Sequence, residues 1–398
     1  MNKEYETPYF VLDYDVLDTE VCLLQRAIST FWPNTIAAYS VKTNSLPYLA
    51  KILNNKGLYA EVVSKDEYEL VRLCGYKPSH IVCNGPVKSR DFVNELMDNN
   101  VTINIDSHRE LQYVADYSKQ HPIRECKVGL RVNLDVEHHF PQESKAGEYG
   151  SRFGFCIDNG ELGNAISFLR KCDNIYINGL HLHISTSTRR IEIYEWLAET
   201  FCSLVKDFSL DHIEYFDIGG GFFGGIPEKP NWNDYISSIG KILHKQGYAS
   251  NNLTLILEPG VSLLAGAFSY YTSVIDVKKT NSSIFVVTDG SRTHIDPLFH
   301  KTTYIYDHIQ KQQTQNSNQQ IIAGCTCLEY DYIMKLCDKP LAVEGDVFRF
   351  DKLGAYTMTL SPLFISYFPP VYIRYSNGDM ICARERWTAK EFSQKSFL

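Results

Sequence analysis

Four places along this chain carry groups able to do covalent or electrostatic chemistry, and each closes a short β-rich run. Lys42 follows Ile36–Val41 and offers an amine nucleophile. His183 lies at the end of Ile177–Ile184 and offers an imidazole. Gly219, Gly220 and Gly221 follow Ile213–Ile218. Consecutive glycines let backbone N–H groups turn toward one anion, because no Cβ blocks close approach. Glu258 closes Leu253–Glu258 and offers a carboxylate. Singly, each has an ordinary explanation: a solvated lysine, a satisfied core histidine, a tight turn, a surface acid. Their joint occurrence at strand ends carries the functional reading. The glycine run does not match GxxxxGK[ST]. Gly219, Gly221 and Gly224 do fit GxGxxG, but late in the chain and with a proline soon after. The turn therefore reads as a cradle for a phosphorylated cofactor or substrate without the dinucleotide fingerprint.

The elements that must position these groups are regular. Eight β-rich runs occur in series: Ile36–Val41, Leu58–Val63, His80–Asn84, Val101–Asp106, Cys126–Asn133, Ile177–Ile184, Ile213–Ile218 and Leu253–Glu258. Helical patterns such as Ser64–Cys74 and Arg190–Asp207 lie between them. This alternation predicts a (β/α)8 TIM-type barrel, with a doubly wound open sheet as the alternative. Barrel sites lie at the C-terminal strand ends. Those positions are Lys42, Ser64, Gly85, Asp106, Asn133, His183, Gly219–Gly221 and Glu258. Beyond about residue 265 strand-like runs dominate: Ser269–Val277, Ser283–Thr288, Gln320–Ala323, Asp346–Phe350 and Val371–Tyr375. They predict a separate C-terminal β-barrel or β-sandwich domain. Gln310–Gln320 reads as a solvated loop and Val136–Tyr149 as a polar loop at the site end, a lid candidate.

Composition bounds the function. The 398 residues hold 39 Lys and Arg against 47 Asp and Glu, a net charge of −8. That argues against sequence-independent binding to nucleic acid or to an anionic membrane. With 44% hydrophobic and 22% charged residues the chain is globular rather than disordered or coiled. No apolar run reaches the ~20 residues needed to span a bilayer, and Met1–Phe10 lacks an export pattern, so the cytoplasm is expected. The eleven cysteines form no CxxC, so no structural metal is expected.

A set of ordered motifs now carries a resemblance: Ala38-Tyr39-Ser40-Val41-Lys42-Thr43-Asn44, His181-Leu182-His183, Asp217 to Phe222, Glu258-Pro259-Gly260, Cys327 with Asp331, and Gly354-Ala355-Tyr356. Smaller echoes are Leu130-Arg131-Val132-Asn133, Ser151-Arg152-Phe153-Gly154 and Gly345-Asp346. Their order resembles the alanine-racemase-fold PLP decarboxylases, the ornithine/diaminopimelate decarboxylase family, over nearly the whole chain. The resemblance implies a PLP-binding barrel over 27–265 and a β domain made of 1–26 and 266–398. It implies that Lys42 forms the Schiff base with pyridoxal 5'-phosphate, that Glu258 pairs with the pyridine nitrogen and that His183 stacks on the ring. Gly219, Gly220, Gly221, Gly260 and Thr186 are similar to the phosphate-binding positions, Tyr356 to a tyrosine that reaches the phosphate, and Glu61 to the acidic position near the cofactor. Cys327 resembles the catalytic acid that comes from a partner subunit, which implies a homodimer with shared sites.

The substrate positions depart from the family. Val261 stands where Glu-Pro-Gly-Arg has arginine, the Arg-Pro that grips a carboxylate falls near Asp296-Pro297, and Leu328 replaces the acid after the catalytic cysteine. A buried charge left without its partner costs several kcal/mol, which disfavours ornithine and diaminopimelate. The Cys327/Asp331 remnant resembles the branch that decarboxylates amino-acid conjugates in siderophore-type or other specialised metabolism. Asp331, Glu329 and Arg292 are the candidate substrate contacts, with His294 and Arg152 as further loop candidates. The alternatives are a diaminopimelate, ornithine or lysine-type decarboxylase of primary metabolism, a PLP racemase, and a non-catalytic decarboxylase-like regulator.

Overall fold

The structure, a computed structural model, describes residues 5–147 and 149–397. Contacts divide the chain into two compact units, 20–262 and 1–19 with 263–398. The first break falls inside the helix Tyr14–Phe31, where no change of sequence texture marks it.

The unit 20–262 is the barrel. Its strands are Thr35–Ser40, Tyr59–Val62, Ile81–Cys83, Thr102–Ile105, Cys126–Asn133, Ile175–His181, Tyr215–Asp217 and Thr254–Leu257. Each pairs in parallel with the next, and the last pairs with the first through Ile256 and Ile36. All eight expected runs are therefore strands, and the open-sheet alternative is excluded by closure. The connecting helices start where the sequence supplies caps. Ser64, Ser89 and Ser107 accept from the backbone N–H groups of Glu67, Phe92 and Glu110. Asn231 and Asp234 form a reciprocal capping box ahead of Trp232–Lys245.

The barrel interior is filled rather than hollow. Ala38, Val82, Tyr215 and Ile256 form one buried cluster. The Tyr215 side chain lies across neighbouring strands at Gly129 and Gly179, where an added Cβ would fall 2.0 Å from its hydroxyl oxygen and 2.0 Å from a ring carbon, respectively. Those two glycines exist to admit the ring. The Tyr215 hydroxyl donates to Asn104 Oδ1 at 2.8 Å, which leads from the packed floor up to the polar strand ends.

The second unit is a nine-stranded mixed sheet. Its long strand Phe268–Lys279 pairs antiparallel with Tyr9–Asp13, Ile284–Thr288 and Val347–Asp351. The N-terminal strand is thus built into the β domain, and it runs parallel to Val371–Arg374 on its other side. Two loop expectations change. Gln320 is buried and opens a strand, because its amide donates to Pro340 O and accepts from Ala342 N. Val136–Tyr149 contains the short helix Val136–His139. Among the described residues no helix is long and apolar enough to cross a membrane.

Because rigid ring atoms and backbone surround Gly179, Gly179→Ala is expected to cost about 2–3 kcal/mol by overpacking, read as a lowered urea midpoint.

Candidate active site

The turn Val41–Thr43 that carries Lys42 is held by its neighbours. Ser40 N donates to Pro259 O at 3.0 Å, and a Cβ on Gly260 would meet Thr43 Oγ1 at 2.2 Å. Glycine at 260 therefore lets the ends of the first and last barrel strands touch. The glycine run is packed just as closely. Glu258 N donates to Gly219 O at 2.8 Å, and a Cβ on Gly220 would lie 2.4 Å from Glu258 O. Gly219 and Gly221 take φ of +70° and +89°, a backbone region that other residues adopt only with strain. These contacts bring Lys42, His183, Gly219–Gly221, Glu258 and Gly260 to one end of the barrel. Thr186 is buried on the loop after the sixth strand, bridged to Ser144.

Below them lies a buried polar floor. Lys42 Nζ pairs with Glu61 Oε2 at 2.6 Å, and Ser40 Oγ donates to the same oxygen at 2.7 Å. Burial pushes the Glu61 carboxyl up. The Lys42 charge and the hydrogen bonds from Lys42, Ser40 and Asn84 outweigh it, and Glu61 stays below the usual range. Burial also raises Glu258, and the nearby charges of Asp217 and Glu61 raise it further. Asp217 is pushed up to about 7 by burial, against the hydrogen bond it accepts from Gly219 N. His181 Nε2 lies 3.7 Å from Glu258 Oε1, yet neither ring nitrogen of His181 has a hydrogen-bond partner. One ligand atom each of His181, Asp217 and Glu258 converge within 4.8 Å. The floor is thus richer in buried carboxyls than in the cations, Lys42 and Arg131, that face them.

His183 behaves differently from His181. Gly220 N donates to its Nδ1 at 3.1 Å, so the proton of the neutral ring sits on Nε2. Burial, reinforced by Arg131 and Lys42, pushes its pKa down to about 3. The ring is a neutral flat surface across the physiological range.

This arrangement fits PLP. The group's protonated ring nitrogen supplies the positive charge that the Glu258 floor lacks, the neutral His183 ring offers a stacking face, the glycine turn suits a phosphate, and Lys42 is an amine able to add to an aldehyde. Residues 21–265 match the family described as pyridoxal-dependent decarboxylase, pyridoxal binding domain. The chain belongs to that family. It is a PLP-dependent carboxy-lyase, and PLP is its cofactor. The diaminopimelate decarboxylase of Aquifex aeolicus is 26% identical, with 96% of this chain and 90% of that protein covered. The L-glutamyl-[BtrI acyl-carrier protein] decarboxylase of Niallia circulans is 25% identical over 98% of this chain and 94% of its own length. The crystal structure of diaminopimelate decarboxylase from M. jannaschii shares the fold, with a TM-score of 0.86 at 22% identity, over 99% of this chain and 93% of that one.

The remaining expected residues, except Arg152, lie in the β domain. Cys327 and Glu329 are exposed. Tyr356 is 42% exposed and takes φ of +55°. Arg292 and Asp331 do not present free groups to a substrate. Arg292 is paired with Asp296 at 2.9 Å and donates to Lys301 O. Asp331 is buried and accepts from Ser291 Oγ, Arg292 N, Thr326 N and Thr326 Oγ1. His294, expected on an exposed loop, is buried against Tyr270. Each looks available in sequence because nothing in the local pattern shows that the side chain is already paired, whether by a near neighbour (Asp296, Thr326) or a distant one (Tyr270). Arg152 is exposed over the Phe153 ring. Sequence reasoning missed Asn84 and Asn104, which tie the floor together. Their only signal is a polar side chain at or near the end of an apolar run.

A cavity of about 900 Å3 opens beside His183 and Arg131, lined in part by the segment that holds Gln142, Ser144 and Lys145. That segment is clasped to the next loop by Glu143. Its carboxylate accepts from Thr188 N and Thr188 Oγ1, its backbone carbonyl accepts from Ser187 N, and Arg190 lies 3.6 Å away.

Two outcomes follow from the protonation states. Long-range 1H–15N NMR of the protein at pH 5 is expected to find His183 neutral with its proton on Nε2. Its contribution to folding is complete above the unfolded value of about 6.5 and is lost as the pH falls toward about 3. Asp217 has the opposite sign, since its raised pKa makes the native state bind the extra proton. In the apoprotein its contribution declines as the pH rises from about 4 toward about 7. Asp217→Asn is expected to flatten that part of the profile of urea midpoint against pH.

Proposed function

We propose that this protein decarboxylates an amino acid carried within a larger conjugate, releasing CO2 and an amine. The cavity of about 900 Å3 carries the reading. It is at the upper end of the range for sites that take drug-sized ligands, and of the candidate cofactor residues only His183 lines it, so it offers a substrate room beyond the cofactor's place. Two further observations support it. Val261, Asp296 and Leu328 remove the charged groups that would hold a free distal carboxylate or ammonium, and Asp296 is itself occupied by Arg292. The Niallia circulans relative has a name that specifies a glutamyl group on a carrier protein. The Aquifex aeolicus relative favours the second reading, a diaminopimelate-type decarboxylase of primary metabolism.

In this reading Lys42 binds PLP covalently. Glu61 Oε2, at 2.6 Å, holds the Lys42 ammonium in place. PLP, when bound, supplies an electron sink for the carbon that loses CO2. Glu258 would keep the ring nitrogen protonated by its negative charge. His183, kept neutral, would offer a stacking face and add no competing positive charge. Gly219–Gly221, Gly260 and Thr186 would hold the phosphate. Cys327 of a second copy of this chain gives its Sγ proton to the carbon after CO2 leaves, so the working unit is a homodimer.

Lys42→Ala is expected to abolish turnover and the covalent fixing of PLP by borohydride, read as the mass of the reduced protein. CO2 release should be measured on lysine, ornithine, diaminopimelate and an L-glutamyl pantetheine thioester. The thioester is expected to exceed the free amino acids in kcat/KM by about tenfold or more, the factor that a mismatched buried group imposes. Diaminopimelate as the best substrate would sink the conjugate reading and leave the primary-metabolism one.

A further inference from the structure

Asn84 follows the strand Ile81–Cys83 and is buried among the carboxyls of the floor. Its Nδ2 donates to Glu61 Oε1 at 3.1 Å and to Glu258 Oε1 at 2.5 Å. Its Oδ1 accepts from Asn104 Nδ2 at 2.9 Å. Asn104 Nδ2 also donates to Asp217 Oδ2 at 3.0 Å, and Asn104 Oδ1 accepts from the Tyr215 hydroxyl. The orientation of both amides follows from this chain of bonds. Glu61, ionised beside Lys42, can only accept, so Asn84 must present N–H to it. Asn84 Oδ1 then faces Asn104, which must present N–H in turn. Two neutral amides thereby join Glu61, Glu258 and Asp217, with the Tyr215 hydroxyl closing the far end.

We propose that Asn84 is a positioning residue for the carboxy-lyase reaction: by donating one N–H to Glu61 and the other to Glu258, it holds the carboxylate beside Lys42 and the carboxylate for the ring nitrogen in one fixed relation, and keeps Glu258 an anion. The inference rests on the roles proposed above for Glu61 and Glu258. The need for such a donor is physical. Glu258 is faced by Asp217, Glu61, His181, Lys42 and Arg131. Two of those neighbours are acids, His181 is kept neutral by its burial, and Lys42 is already paired with Glu61. Burial and the two acids favour the protonated carboxyl, in which state Glu258 could no longer hold a proton on the ring nitrogen. An amide N–H at 2.5 Å stabilises the anion without adding a competing charge. A lysine or arginine there would supply more charge but would draw Glu61 away from Lys42. An amide, with two donors on one planar group, serves both carboxylates at once.

The test loads wild type, Asn84→Leu, Asn84→Ser and Glu258→Gln with PLP labelled at its ring nitrogen, and follows the 15N shift and the visible spectrum against pH. Leu keeps the bulk of Asn84 and removes both donors, while Ser keeps one. The ring nitrogen is expected to lose its proton at least about one pH unit lower in Asn84→Leu than in wild type, with Asn84→Ser between them. In the same order kcat is expected to fall, by about 10- to 100-fold for Leu, with KM within about threefold. If Asn84→Leu does not fold, Asn84→Ser decides alone through the same shift. A wild-type 15N profile in a folded Asn84 variant, with Glu258→Gln displaced, overturns the inference. A wild-type profile in Glu258→Gln as well overturns the assignment of Glu258 instead.

Discussion

The excess of carboxyl groups buried at one end of the barrel is the constraint on which the site depends. Glu61, Asp217 and Glu258 sit in a small volume where water cannot screen them. An isolated buried carboxylate there would simply take up a proton. Glu61 avoids this by pairing with Lys42, and Asp217 and Glu258 are pushed toward the neutral form. The apoprotein is therefore short of one positive charge in a defined place. In the function proposed above, a protonated pyridine ring would supply it, and the acid that draws the ring in would also keep it electron-poor.

The scaffold makes that imbalance possible. Parallel strands covered on both faces bury mostly apolar side chains below the site, so few groups there offset the acids. The Tyr215 ring, admitted by Gly129 and Gly179, plugs the interior and excludes water from beneath. Its hydroxyl is the one polar group it sends upward, and Asn104 takes it. Packing and electrostatics meet at that hydrogen bond.

How much of this was legible in the sequence depended on the range of the interactions. The eight barrel strands could be read because each is a short, largely buried run rich in β-branched and apolar residues, closed by a polar or glycine residue and followed by a helix-like stretch. That Lys42, His183 and Glu258 come to one end of the barrel could be read because strand ends converge once the barrel is assumed. The strand Ile305–Ile309 was missed because its residues alternate exposed and half-buried, and no run of apolar residues results. Asn84 and Asn104 were missed because a lone asparagine looks the same whether it caps a turn or bridges two acids. Arg292, His294 and Asp331 were misjudged for the complementary reason. Tyr270 comes to His294 through tertiary structure, while Asp296 and Thr326 are near neighbours, and a polar residue in a loop-like stretch gives no sign that it is already satisfied.

The Glu143 clasp bears on how such a site can be altered. One carboxylate on the loop after the fifth barrel strand holds the backbone and hydroxyl of Thr188 on the loop after the sixth. The two loops are therefore one module of recombination rather than two. A donor loop grafted alone would arrive without its clasp or leave the acceptor's clasp bare. Diversification of the cavity wall, in a library or in a lineage, proceeds by exchanging both loops together or by varying residues that face the cavity while Glu143 and Thr188 stay in place.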